Sequence, residues 1–367
     1  VPEIIRAAPE DVTAPLLSEC GRGLGSGDPV LIALCPLVGE AHPLFVVTED
    51  CRSFRTCNQT PMIESPGHSI REQLETILAL AREKGVHLVV LPELSVDPAS
   101  RDWLGEVLSR SRSNLPMGVV AGSFHFDKQG SPRPHNESHF LDGSGLRLLE
   151  HHKRGRFRMT RKQLEEAAKK GLFRDPERLA REVAKNPSSI PAEIEEHIEP
   201  GGKIHLLEAA VGQMAVLICA DAIDKKNRRG LRDAVEELRP DFVLLPSMSL
   251  KTDRFDEFMT TMEDLGTATF FVNAHSICRT DQTLAAVCLD LFQRQGDLPT
   301  RVRWRASELE VYDRGGQWKN FDPAGSPFDW LSGSQGQRLG LLVDLGAYWR
   351  QPPDQRGRLR LVRSSDG

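Results

Sequence analysis

The sequence predicts a layered α/β fold with a mixed sheet, and three observations carry that prediction. Apolar runs of strand length, rich in Val, Ile and Leu, recur along the chain, as in "VLIALC", "HLVVL", "MAVLIC" and "FVLLP". Segments with helical spacing of apolar residues alternate with them. Hairpin signals interleave with the alternation, so antiparallel as well as parallel pairing is expected.

In chain order, residues 1–28 end in "GRGLGSGD" and read as an N-terminal extension or linker. The glycines do not make a G-x-G-x-x-G phosphate loop. Residues 29–37 are the first strand, and 38–66 are irregular and rich in Pro, Thr and Cys. In 69–85, Ile70, Leu74, Ile77, Leu78 and Ala81 share one helical face, with Gly85 as the stop. A strand follows over 86–91, then a helix over 101–112 and a strand over 117–126. "HFLDGSGLRLLEHHK" is a hairpin that turns at Asp142 to Gly145. Residues 154–198 read as a charged, mostly helical insert. The strands "IHLLEA" and "QMAVLICA" come next, joined by a tight turn. A helix is expected over 228–238, then strand "DFVLLP", a helix over 254–265, and strands "ATFFVNA" and "AAVCLDLF". The stretch 295–335 is rich in Gly, Pro and Asp, and "LGLLVDLG" is a late strand.

"VHLVVLPELS" (86–95) and "DFVLLPSMSL" (241–250) echo each other, which suggests two similar halves. The first ends on a charge at Glu93. A lone buried carboxylate costs several kcal/mol unless it is paired or protonated, so Glu93 needs a cation or a polar cleft.

Bulk properties narrow the function classes. The chain has 367 residues, 39% hydrophobic and 27% charged, which is ordinary for a folded globular protein. A net charge of −5 gives no general signal for nucleic acid or membrane. No apolar run reaches the roughly 18–20 residues of a spanning helix, and the N-terminus lacks a signal-peptide pattern. An odd number of cysteines without an export signal reads as reduced thiols in a cytoplasmic protein. Cys51, Cys57, His42 and His68 fit no standard zinc spacing, and no metal is expected. His151 and His152 are adjacent on a strand, point to opposite faces and suit one metal poorly. No G-x-S-x-G elbow and no H-E-x-x-H are present.

Strand ends are where chemistry is expected. Glu93 ends one strand, Lys153 ends the hairpin, and Cys219 ends "MAVLICADAID". A cysteine nucleophile needs a base for its proton. The tetrahedral intermediate from carbonyl attack needs a positive or N–H-donating neighbour. A glutamate and a lysine in one cleft would also offset each other's desolvation.

These segments resemble the nitrilase, or carbon–nitrogen hydrolase, superfamily, from about residue 30 to the last strand. "VHLVVLPELS" is similar to the segment bearing the family's glutamate, so Glu93 matches it. "PHNESHFLDGSGLRLLEHHK" resembles the hairpin that runs to the lysine, with Asn136 and Lys153 matching and His135 where an aromatic is common. "IEPGGKIHLLEAAVGQMAVLICADAID" resembles the Pro-Gly segment and the cysteine motif, with Cys219 and Asp221 matching. The resemblance implies a four-layer α-β-β-α sandwich as one catalytic domain over 29–367, with the 154–198 insert, pairing as a homodimer or higher homo-oligomer. It implies a Glu-Lys-Cys triad and no cofactor. Ala220, Asp221 and Asn136 support the site, Ala220 through its backbone N–H. A second glutamate is implied before the Pro-Gly. Of Glu193, Glu195 and Glu196, the expectation falls on Glu195.

Ala220 stands where nitrilases proper carry Trp, which favours an amide or N-carbamoyl substrate over a nitrile. The expected activity is hydrolysis of such a C–N bond through a thioester. A non-hydrolytic scaffolding domain and acyl transfer to an amine are the alternatives. "KRGRFRMTRK" (153–162) and "RGRLRLVR" carry local positive charge, for which an anionic substrate or a nucleic-acid partner is the functional reading, against a solvated surface.

Overall fold

In a computed structural model, the described residues are 3–7, 30–37, 40–41, 45–48, 52–57, 63–64, 70–110, 118–169, 171–175, 177, 181, 192–209, 212–223, 238, 240–249, 252–274, 283–289, 301–305, 308–312, 317–333 and 337–345. Two sheets dominate. One runs in the order Arg147–His152, His135–Asp142, Gly118–Val120, Leu88–Val90, Leu31–Leu34, Arg338–Asp344, Phe328–Ser332. The other runs Glu3–Ala7, Lys203–Ala209, Gly212–Val216, Phe242–Ser247, Ala268–Asn273, Thr283–Cys288, Arg301–Arg305, Glu308–Tyr312, Trp318–Asn320.

The central strands of both sheets are apolar on both faces, because each sheet is covered twice. Leu88 and Val90 face the other sheet and pack with Val216, Leu244 and Phe270. Val89, one residue between them, points the other way and joins the core under two helices. These are α1 (Ile70–Glu83) and α2 (Pro98–Arg110), which bury Leu74, Ile77, Leu78, Leu104 and Leu108. The second sheet repeats the arrangement. Leu244 faces inward, while Val243 and Leu245 pack with Phe255, Phe258 and Met262 of a helix over Asp253–Asp264. The result is the expected α-β-β-α sandwich.

The echo between the two Leu-Pro strands has a structural counterpart. Leu88–Val90 pairs in parallel with Leu31–Leu34 and Gly118–Val120. Phe242–Ser247 pairs in parallel with Gly212–Val216 and Ala268–Asn273. Their ends meet across the sandwich, where the Glu93 N–H donates to the Ser247 carbonyl at 3.3 Å.

Several expectations need correction. Within the supposed lead-in 1–28, Glu3–Ala7 is an edge strand parallel to Lys203–Ala209. The stretch 295–335 contributes four strands, and alternation in "RVRWR" and "ELEVY" was the available signal. The expected helix over 228–238 lies outside the described residues apart from Leu238. The irregular 38–66 and the supposedly helical 154–198 pair with each other. Phe45–Val47, Ser53–Thr56, Glu193–Glu196 and Arg158–Thr160 form a small four-stranded sheet. The short helix Arg161–Lys169 packs beside it. Among the described residues, no helix is long and apolar enough to cross a membrane.

Candidate active site

Four elements converge on one buried cluster. Glu93 follows the strand Leu88–Val90 and is 2% exposed. Lys153 follows the hairpin strand Arg147–His152, and its Nζ donates to Glu93 Oε1 at 2.6 Å. The same ammonium donates to Glu196 Oε2 at 2.6 Å. Asn136, on the partner hairpin strand, donates through Nδ2 to Glu93 Oε1 at 3.1 Å and to Glu196 Oε1 at 2.9 Å. The Met248 N–H donates to Glu93 Oε2 at 3.0 Å. The two carboxylates thus share a lysine and an asparagine between them, which supplies the cation that Glu93 needed.

Besides Glu93, the glutamate that the structure brings to Lys153 is Glu196, not the expected Glu195. In the strand Glu193–Glu196, successive side chains point to opposite faces. Ile194 and Glu196 face inward, while Glu193 is exposed. Glu195 faces out, 38% exposed, and pairs with Arg158 at 2.8 Å and Arg156 at 3.6 Å. Those two arginines are therefore committed outside the site.

Sequence reasoning missed His125. Its Nδ1 accepts the Thr56 N–H at 3.0 Å, which assigns the ring proton to Nε2. Nε2 then donates to Glu196 Oε1 at 2.9 Å. With the Phe157 N–H at 3.0 Å on Oε2, Glu196 accepts four hydrogen bonds. The only sequence signal was a lone histidine in the apolar "GSFHF".

Cys219 sits on a strained elbow with φ 41° between Ile218 and a short helical turn, Ala220–Ile223. Positive φ in a non-glycine residue costs of order 1–3 kcal/mol and persists only where the surroundings fix it. Here they do. Cys219 N–H donates to the Pro246 carbonyl, Asp221 N–H to Ile218 and Ala222 N–H to Cys219. The Ala220 N–H makes no such bond among the described residues. Asp221 ties the elbow to the lysine loop. Its Oδ1 accepts the Arg154 and Gly155 N–H groups, each at 2.7 Å, and its Oδ2 accepts from Ile218 N–H and His151 Nε2 at 3.0 Å. Two glycines permit the close approach. A Cβ on Gly155 would lie 2.7 Å from the Ala220 carbonyl oxygen, and one on Gly201 would lie 2.2 Å from that of His152.

Charge is divided unequally between the two glutamates. Burial raises the Glu93 pKa above the ordinary carboxylate range, against the opposing pull of Lys153. Burial also acts on Glu196, but Lys153 and the His125 hydrogen bond outweigh it and hold Glu196 well below that range. Burial disfavours the Lys153 ammonium, yet the two carboxylates more than compensate and keep it charged. Glu196 thus neutralises Lys153, and Glu93 is left as the weaker acid. Burial, and after it the Glu93 charge, raises the Cys219 thiol pKa well above the ordinary thiol value. The resting thiol is protonated.

Beyond this cluster, His135, Glu137 and His152, and also Glu137, His139 and Glu150, group their ligand atoms as a metal site would. Lys128 already supplies the positive charge there, 2.7 Å from Glu137 and 2.6 Å from Glu150. His151 and His152 do point apart, the first to Asp221 and the second to Glu150. Of the seven cysteines, Cys35, Cys57, Cys219 and Cys288 are buried and form no disulfide, and Cys51, His42 and His68 lie outside the described residues.

The small sheet roofs the cluster. Its inward side chains Phe45 and Phe54, with Phe157, Met159, Leu172 and Met248, enclose a cavity whose floor is Glu93, Lys153 and Glu196. Phe45 meets Phe54 edge-on at 5.1 Å, and Phe54 meets Phe157 edge-on at 6.4 Å. Cys219 Sγ is 4.0 Å from the carbonyl oxygen of Met248.

No family model and no curated protein matches this sequence. Solved structures do resemble it. An amidase from Nesterenkonia sp. is 14% identical, with a TM-score of 0.46, over 90% of this chain and 96% of that one. A variant of the Nesterenkonia sp. AN1 amidase, 15% identical with a TM-score of 0.47 over 90% of this chain and 97% of that one, shows covalent addition of the acetamide moiety of fluoroacetamide at its active-site cysteine. Nit3 of Saccharomyces cerevisiae, a member of branch 10 of the nitrilase superfamily, is 12% identical with a TM-score of 0.46, over 92% of this chain and 96% of that one.

Proposed function

We propose that this chain is a member of the carbon–nitrogen hydrolase superfamily that cleaves a non-peptide amide through Cys219. The observation that carries the reading is a buried thiol on a strained elbow that meets Met248, whose N–H holds Glu93, which is itself bonded to Lys153. A base with a raised pKa accepts a thiol proton more readily than an ordinary glutamate would, because its conjugate acid is the weaker acid.

Glu93 takes the Cys219 proton, and the sulfur attacks the carbonyl carbon. The oxyanion that forms is held by the Lys153 ammonium and the Ala220 N–H. The C–N bond breaks as Glu93 returns its proton to the departing amine, which leaves a thioester on Cys219. A water gives a proton to Glu93 and attacks the thioester, and collapse frees the acid and the thiol. Glu196 stays ionised throughout and positions Lys153. No step draws on a metal or an organic cofactor.

The test is turnover. A panel of primary amides is incubated with the wild-type chain and with Cys219→Ala, and released ammonia is measured. Mass spectrometry of quenched reactions looks for an acyl adduct on the peptide containing Cys219. Turnover that Cys219→Ala abolishes, with the adduct present, supports the reading. Turnover that survives in Cys219→Ala overturns it, and so does the absence of both turnover and adduct across the panel.

A further inference from the structure

We infer that the group retained on the carbonyl during catalysis is short, uncharged and apolar, so that simple amides are substrates and N-carbamoyl and carboxylate-bearing compounds are not. The inference rests on the hydrolase reading for the chemistry but on the cavity for the specificity. The departing amine has to escape before water attacks, whereas the acyl group stays through the thioester stage. A confined apolar space beside the site therefore holds the acyl group.

That space is apolar wherever it is not catalytic. Phe45, Phe54, Met159, Leu172 and Met248 are all nearly inaccessible to solvent. The charged side chains in its lining are Glu93, Lys153 and Glu196, and each is already satisfied by the others. Among the described residues, a substrate carboxylate would thus be buried without a cation of its own, at a cost of several kcal/mol. The arginines that the sequence offered as anion receptors do not help. Arg156 and Arg158 pair with Glu195 on the opposite face of the strand. Arg154 Nε donates to the Gly201 carbonyl at 3.2 Å. An N-carbamoyl compound fares little better, because among the described residues its retained amino group would face the rings of Phe45, Phe54 and Phe157, and the carboxylates of the lining are already engaged by Lys153 and Asn136. The cavity is also small. It encloses about 30 Å3, room for one or two waters, so short chains fit with least displacement of the roof.

The experiment separates binding from turnover. Thermal melts and calorimetry of Cys219→Ala are run with propionamide, with succinamate, which is propionamide carrying a terminal carboxylate, and with N-carbamoylglycine. Propionamide should raise the Tm and bind at least about 100-fold more tightly than either of the others. In the wild-type chain, Met159→Ala, which hollows the wall, should raise the kcat/KM ratio for hexanamide over propionamide at least about tenfold, the scale of one or two methylenes in an apolar pocket. Equal or tighter binding of succinamate or N-carbamoylglycine overturns the inference, and so does binding of none of the three. Selective binding of propionamide without turnover would leave the pocket standing and sink the hydrolase reading. Turnover of succinamate in preference to propionamide would do the reverse.

Discussion

Lys153→Met removes the ammonium while keeping a long, flexible side chain in its place. Both carboxylate oxygens lie 2.6 Å from Nζ, so they are at most about 5 Å from each other. Two like charges at that separation repel by about 3 kcal/mol at an effective dielectric near 20. Breaking a buried ion pair costs about 3–5 kcal/mol for the same reason. The variant should therefore lose about 3–5 kcal/mol, about 4–7 °C in Tm for a chain of this size. The pH dependence fixes the cause. Without the lysine, Glu93 is pushed further toward its protonated form in the folded state. The folded chain then binds more protons than the unfolded one, and stability falls as pH rises. The deficit against wild type should shrink on going from pH 8 to pH 5. Lys153→Met combined with Glu196→Gln removes the second charge and should recover about 3 kcal/mol of the loss. Activity should stay at least 100-fold down in both, because the oxyanion partner is gone in both. Melts at several pH values, with kcat for any active amide, make the measurement. A single variant as stable as wild type, or a double variant no more stable than the single, would show that the two carboxylates do not share this lysine.

Further outcomes follow from the same geometry. Glu93 must be deprotonated to act as base, and burial raises its pKa, so the acid limb of kcat/KM should lie above the ordinary glutamate value of 4.5. Glu196→Gln removes a like charge and should move that limb to lower pH, and an unmoved limb in the pH–rate profile would count against the pairing. Gly155→Ala would set a Cβ 2.7 Å from the Ala220 carbonyl oxygen, forcing the lysine loop off the elbow. It should lower kcat by at least about tenfold, since small misplacements of a catalytic group are costly. Gly202→Ala, with open space around it, should leave kcat and Tm unchanged.

What the sequence made legible is local. Glu93, Lys153 and Cys219 each sit at the end of a strongly patterned strand, so alternation, turn chemistry and the family resemblance located them together. The sandwich was legible for a related reason. Runs such as "LVVL" (88–91) and "FVLLP" (242–246) are apolar at every position, which only a strand covered on both faces requires. The choice between Glu195 and Glu196 was not legible. A one-residue slip in register exchanges the two faces of a strand, and nothing in "EIEEHIE" sets the register alone. Register comes from pairing with Ser53–Thr56, more than a hundred residues earlier in the chain.

The same non-local pairing explains why the roof was read as irregular chain on one side and helix on the other. Strands of three or four residues are too short to show a period. Phe45, Phe54, Phe157 and Met159 look like scattered hydrophobes until the segments are brought together. Once paired, alternation does two jobs along one strand. Glu196 turns inward to hold Lys153, while Glu195 turns outward and engages Arg156 and Arg158. His125 closes the arrangement, since one ring nitrogen accepts from the backbone of the roof strand and the other donates to Glu196. The roof proposed to select the acyl group is thus bonded, through His125, to the carboxylate that holds Lys153. A substrate that displaces the roof strand strains that bond, so fit in the apolar cavity and alignment of Lys153 are parts of one condition for turnover.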